Sequence, residues 1–176
     1  AFQQKQMAAG RALVCISVNM SRAHMLDPML VEEITAIVDS YQVPYSAIEL
    51  ELTESAFFDD KRVLLDAVHA LRSRGFSVSM DDFGSGYSSL NSLKDLPLDV
   101  IKLDCEFFTQ TEDAARGRTV IADTIALAKH LHMEIVAEGI ETEEQVALLN
   151  ELGCDFIQGY YFAKPMPLEQ FEQLMD

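Results

Sequence analysis

Six short runs rich in β-branched residues recur along this chain, and most of them are apolar at alternate positions only. They are Leu13–Asn19, Ala47–Thr53, Phe76–Asp82, Val100–Asp104, Glu134–Gly139 and Phe156–Tyr160. Their starts lie about 22 to 34 residues apart, near the roughly 30 residues of a strand–helix–strand unit. Amphipathic segments fill the gaps: Pro28–Tyr41, Asp60–Arg74, Asp113–His132 and Thr142–Leu152. Thr142 with Glu143 and Glu144 forms an N-cap with acids on the first turn, and Gly153 and Gly75 close two helices. The spacing predicts one α/β domain with a largely parallel sheet.

Side-chain parity separates a doubly wound sheet from a barrel. Ile48, Leu50 and Leu52 share one face, while Glu49, Glu51 and Thr53 share the other. Phe76, Val78 and Met80 stand against Ser77, Ser79 and Asp81, and Ile101 and Leu103 against Lys102 and Asp104. Strands covered by helices on both sides would be apolar on both faces. One face that tolerates polar atoms predicts the wall of a TIM-like (β/α) barrel with a polar mouth.

Each run ends on an inward polar side chain: Asn19, Glu51, Asp81, Lys102, Glu138 and Gln158. In such a barrel these ends share one rim, where active sites are built. Glu51, Asp81, Asp82 and Glu138 in one mouth would repel one another, and hard divalent cations are the natural compensation. Elsewhere, 13 basic residues against 29 acidic ones give a net charge of −16, which argues against binding long DNA or RNA. No apolar run is long enough to span a bilayer and no signal-peptide pattern opens the chain. Cys15, Cys105 and Cys154 lack metal-like spacing and are expected to be buried, reduced thiols of a cytoplasmic protein. The eight methionines are expected to be packing residues, and His130 and His132 to lie on the surface at a helix end.

Six motifs together resemble the EAL phosphodiesterases, which hydrolyse cyclic di-GMP. They are Ser17-Val-Asn-Met-Ser21, Glu51-Leu-Thr-Glu-Ser55, Asp81-Asp-Phe-Gly-Ser-Gly-Tyr-Ser-Ser-Leu90, Ile101-Lys-Leu-Asp104, Val136-Ala-Glu-Gly-Ile-Glu141, and Gln158-Gly-Tyr-Tyr-Phe162 with Lys164-Pro-Met166. The resemblance implies hydrolysis to the linear dinucleotide pGpG with Mg²⁺ or Mn²⁺ in a two-metal site. It implies that Asn19, Glu51 and Asp81 ligate one metal, that Asp81 bridges to a second, and that Asp82 and Glu138 serve that second site. Glu138 would also be the general base, Lys102 would contact the attacking water, and Gln158 and Glu141 would position water or substrate. Glu54 would anchor the loop Phe83–Ser89. The resemblance allows a homodimer and an upstream GGDEF or sensor domain, which could anchor a parent protein to the membrane.

The family's Glu-Ala-Leu motif and its substrate arginine are missing from the sequence, and Ala1–Ala12 resembles a helix that follows them. Residues 1–176 are therefore expected to be an EAL domain lacking its first strands, about six of eight. A non-catalytic cyclic di-GMP receptor is the alternative; such receptors typically lose metal ligands, whereas every ligand within this sequence is present, which favours the enzyme, and only the missing upstream glutamate could reverse this. A different Mg²⁺-dependent barrel enzyme would also use strand-end acids and a lysine, but it gives no reason for the whole stretch Asp81–Leu90.

Overall fold

The computed structural model describes residues 1–53, 61–84, 90–108 and 113–175. Six parallel strands form one sheet in the order of the sequence: β1 Ile16–Asn19, β2 Ile48–Thr53, β3 Ser77–Phe83, β4 Val100–Leu103, β5 Glu134–Ala137 and β6 Phe156–Ile157. Parallel neighbours require crossovers, supplied by α2 Arg22–Met25 and α3 Leu30–Ser40, α4 Lys61–Arg74, α5 Leu90–Asp95, α6 Ala114–His130 and α7 Glu143–Leu152. Two further helices lie at the ends, α1 Phe2–Ala8 and α8 Leu168–Leu174. The sheet is an incomplete (β/α) barrel with β1 and β6 at its edges.

The parity expected from sequence is the parity observed. Leu50, Leu52, Val78, Met80, Ile101, Leu103 and Ile135 are buried on the helix-facing side, against Leu64, Val68 and Leu71 of α4, Ile125 of α6 and Leu149 of α7. Each such side chain contributes about 1.5–3 kcal/mol when removed from water. The opposite face lines an open lumen of about 600 Å³ with Ser17, Glu49, Ser77, Lys102 and Glu134. A doubly wound sheet has no such polar interior.

One clamp occurs twice at the base of the sheet. Asp99, just before β4, accepts the Val78 N–H at 3.0 Å and pairs with Arg72 at the end of α4. Asp155, just before β6, accepts the Ile135 N–H at 3.1 Å and pairs with Lys129 at the end of α6. In each case one carboxylate satisfies the second residue of the preceding strand, and a cation from the helix feeding that strand holds it. The helix ends follow the sequence signals. Thr142 and Gln145 complete a capping box on α7, and Gly153 closes it at φ 74°.

The cysteines correct an expectation. Cys15 and Cys105 are exposed and Cys154 is half-buried, because Cys15 faces the open lumen and Cys105 the rim. All strands but β3 are also shorter than the β-rich runs: β1 starts at Ile16, Glu138 and Gln158 lie just beyond β5 and β6, and β3 keeps its length but runs one residue later, Ser77–Phe83.

Candidate active site

Strand register decides where the polar ends meet. Asn19 pairs with Glu51, Thr53 with Asp81, and Lys102 with Val136. The Glu138 N–H donates to the Leu103 carbonyl at 2.9 Å, and the Gln158 N–H to the Ala137 carbonyl at 2.8 Å. The candidate site position thus climbs one inward step, two residues, between β2 and β3 and again between β4 and β5. Strand tilt in a barrel imposes this stagger.

A bulge handles the two adjacent aspartates. Three steps along β3, from Met80 to Phe83, match two along β4, from Ile101 to Leu103, so Asp81 and Asp82 together stand opposite Lys102. Neighbours in a regular strand point to opposite faces; a bulge breaks that alternation. Asp82 adopts φ 57°, a conformation that costs about 1–3 kcal/mol in a residue with a Cβ and clusters at functional sites. Its N–H donates to Asp81 Oδ1 at 3.0 Å.

Lys102 is the centre of the cluster. It is 6% exposed, and its ammonium bridges Glu51, 5% exposed, and Glu138 at 2.7 Å. Burial pushes the lysine's proton affinity down, but hydrogen bonds and charges from Glu138 and Glu51 outweigh it, and the net shift is upward. Burial raises the Glu138 carboxyl above the usual range, opposed by Lys102 and assisted by Asp81 and Glu51. Burial likewise raises Asp81, against Lys102, with Asp82 and Glu51 adding to the rise. Asp81 thus feels both Asp82 and Glu51, and Glu138 feels both Asp81 and Glu51.

Above β4–β6 a cavity of about 680 Å³ is lined by Asp104, Glu138, Glu141, Gln158, Tyr160 and Lys164 among others. The Glu141 N–H donates to Gln145 Oε1 at 2.9 Å, so the α7 cap fixes the backbone that carries Glu141. Asp104 is a cavity residue beyond those that the family resemblance assigns to the site. It ends the Ile-Lys-Leu-Asp stretch two residues after Lys102 with the same inward parity, which was the available signal. Asn19 stands exposed on the edge strand beside Glu51. Glu54 and Ser85–Ser89 of the anchored loop lie outside the described residues. Among the described residues no three His, Cys, Asp or Glu side chains converge in metal-holding geometry; the Lys102 ammonium stands between Glu51 and Glu138 instead.

The family model described as "EAL domain" matches residues 1–165. This chain belongs to the EAL domain family. Among its relatives, the cyclic di-GMP phosphodiesterase NbdA of Pseudomonas aeruginosa is 36% identical over 95% of the chain. The cyclic di-GMP phosphodiesterase RocR of the same species is 37% identical over 89%. The EAL chain spans 21% of NbdA and 40% of RocR. The PaMucR phosphodiesterase in complex with c-di-GMP superposes with a TM-score of 0.86 and 34% identity, covering 96% of this chain and 68% of that one. The EAL domain of Mycobacterium smegmatis DcpA gives a TM-score of 0.90 and 30% identity, covering 98% and 78%.

Proposed function

We propose that this EAL domain hydrolyses cyclic di-GMP to pGpG with two divalent cations, Mg²⁺ or Mn²⁺. The observation that carries the reading is the buried Glu51–Lys102 pair joined to half-buried Glu138 under a rim cavity lined by Glu138, Glu141 and Gln158. The donor set is hard oxygen throughout, and burial already strains Asp81 and Glu138 toward holding protons. A hard cation would relieve that strain, so the chemistry of this donor set suits Mg²⁺ or Mn²⁺. Asn19, Glu51, Asp81, Asp82 and Glu138 would hold them. When bound, such a pair stabilises the attacking and leaving oxygens of an in-line displacement at phosphorus.

Lys102 stays charged and orients the attacking water against the anionic phosphodiester. Glu138, with its raised proton affinity and its bond to Lys102, takes the water proton as general base. The water oxygen bonds to phosphorus, one ester P–O bond breaks, and the leaving alkoxide takes up a proton. Gln158 and Glu141 fix water or substrate at the mouth.

The test is cyclic di-GMP turnover by the full-length protein with Mg²⁺ or Mn²⁺. Asp81→Asn keeps shape but removes one of the charges that would hold the metals, and should abolish turnover more completely than Gln158→Ala. Comparable residual rates at saturating Mg²⁺ would remove Asp81 from the bridging role. Binding of cyclic di-GMP without turnover by the unmutated protein would support the receptor alternative.

A further inference from the structure

The short 3₁₀ turn Cys105–Phe108 leaves the top of β4 and so rises between the ends of β3 and β5. On the β3 side, a Cβ added to Gly84 would sit 1.6 Å from Phe107 Cε2, so the phenyl ring occupies the space of any side chain there. The same ring stacks on Phe83, with centroids 6.0 Å apart and planes at 27°. The Asp104 N–H donates to the Phe83 carbonyl at 3.3 Å. On the β5 side, a Cβ added to Gly139 would lie 2.5 Å from Cys105 Cβ. Gly84 and Gly139 have φ of 99° and 67°.

Both contacted glycines sit directly downstream of site carboxylates, Gly84 after Asp81-Asp82-Phe83 and Gly139 after Glu138. The turn is braced from below. The Glu106 N–H donates to Asp104 Oδ1 at 2.8 Å, and the Phe107 N–H to the Asp104 carbonyl at 3.0 Å. It spans the two carboxylate-bearing strand ends above Lys102.

Resting on the phosphodiesterase reading, we propose that this turn is a strut setting the separation of Asp81–Asp82 from Glu138, with Phe107 as the positioning residue. The strained φ of Asp82 holds only while its surroundings over-determine it, and the ring packed on Phe83 and Gly84 does so from one side. Removing the ring lets the bulge relax and moves two of the acids relative to the third. A misplacement of ~1 Å costs on the order of 100-fold in rate, and loss of a group that orients metal ligands costs about 10- to 100-fold in affinity.

The experiment compares Phe107→Ala and Phe107→Leu with the unmutated full-length protein. The readouts are Mn²⁺ affinity by electron paramagnetic resonance without substrate, kcat and KM for cyclic di-GMP, and metal-free melting. For Phe107→Ala the Kd for Mn²⁺ should rise about tenfold and kcat fall about 100-fold, with KM nearly unchanged. Phe107→Leu, which keeps an apolar body against Gly84, should recover most of both losses. A Phe107→Ala protein that melts earlier but keeps normal Mn²⁺ affinity and kcat while folded overturns the strut. If that variant does not fold, an unchanged Mn²⁺ affinity in Phe107→Leu overturns it equally. Unmutated protein that binds Mn²⁺ without turning over cyclic di-GMP counts against the phosphodiesterase reading alone, because the Mn²⁺ comparison still decides the strut. Absence of Mn²⁺ binding by the unmutated protein sinks both.

Discussion

At the scale of single residues, one ammonium serves two carboxylates, buried Glu51 and half-buried Glu138, with Asp81 and Asp82 standing opposite it across the β3–β4 pair. Removing one partner of a buried ion network leaves charge without compensation and costs about 3–5 kcal/mol. Lys102→Met should therefore lower metal-free stability by about that amount. The loss should shrink on acidification from pH 7 to 5, as the stranded carboxyls take up protons; a melting deficit independent of pH would contradict it. In the unmutated protein burial raises both Asp81 and Glu138. An acid whose folded pKa is raised contributes stability that is full below its unfolded value, near 4, and is lost as pH rises through the folded value. Lys102, raised above its ordinary value, contributes constantly across pH 5–7. Metal binding must displace the carboxyl protons, so saturating Mg²⁺ should raise the melting temperature more at pH 7 than at pH 5. Equal Mg²⁺ shifts at both pH values would detach Asp81 and Glu138 from the metals.

At the scale of elements, the repeated clamp ties strand, following loop and preceding helix into one unit. Asp99 joins α4, β3 and β4, and Asp155 joins α6, β5 and β6. Arg72 and Asp99 are each about a third exposed, so their ion pair adds little by itself. The part-buried Val78 N–H is the costlier group to abandon, at about 1–3 kcal/mol. Asp99→Ala should therefore destabilise by about that amount in chemical denaturation. Arg72→Ala should cost clearly less, because it leaves the backbone bond in place. Equal losses would show that the cation, not the strand N–H, sets the clamp's value.

For the whole molecule, six parallel strands leave two edges, and residues 1–176 expose the lumen between them. Val18 on β1 and Phe156 on β6 are 41% and 53% exposed. The ends of the chain meet on one side, where Phe2 packs on Phe171 at 6.0 Å and Lys5 pairs with Glu172 at 2.6 Å. That contact joins helices and leaves the strand edges open. Natural sheets avoid long uncovered edges because they template pairing with other chains. Residues 1–176 on their own should self-associate and turn over little cyclic di-GMP. Size measurement by light scattering checks this, and a monodisperse monomer with full turnover would show that the open edges are harmless.

Period-two alternation such as Ile48-Glu49-Leu50-Glu51 and the helical spacing of Asp60–Arg74 are local properties of the chain, so the sequence alone determined the six strands, the four major helices and the polar inner wall. It also placed Glu51, Lys102, Glu138 and Gln158 at strand ends by parity. The helical spacing of Leu168, Phe171 and Leu174 after Pro167 marks α8 as well, but nothing in the sequence marks the bulge at Asp81–Asp82, since a bulge is a mismatch between two strands and exists only once they pair. Cys15 and Cys105 read as buried thiols because cysteine usually is, yet their exposure depends on an open lumen and on a rim that only the assembled sheet creates. The stagger from Asn19 to Gln158, the ammonium shared by Glu51 and Glu138, and the fit of Phe107 against Gly84 were likewise decided by tertiary structure. Each depends on the tilt and register of strands whose residues lie tens of positions apart in the chain.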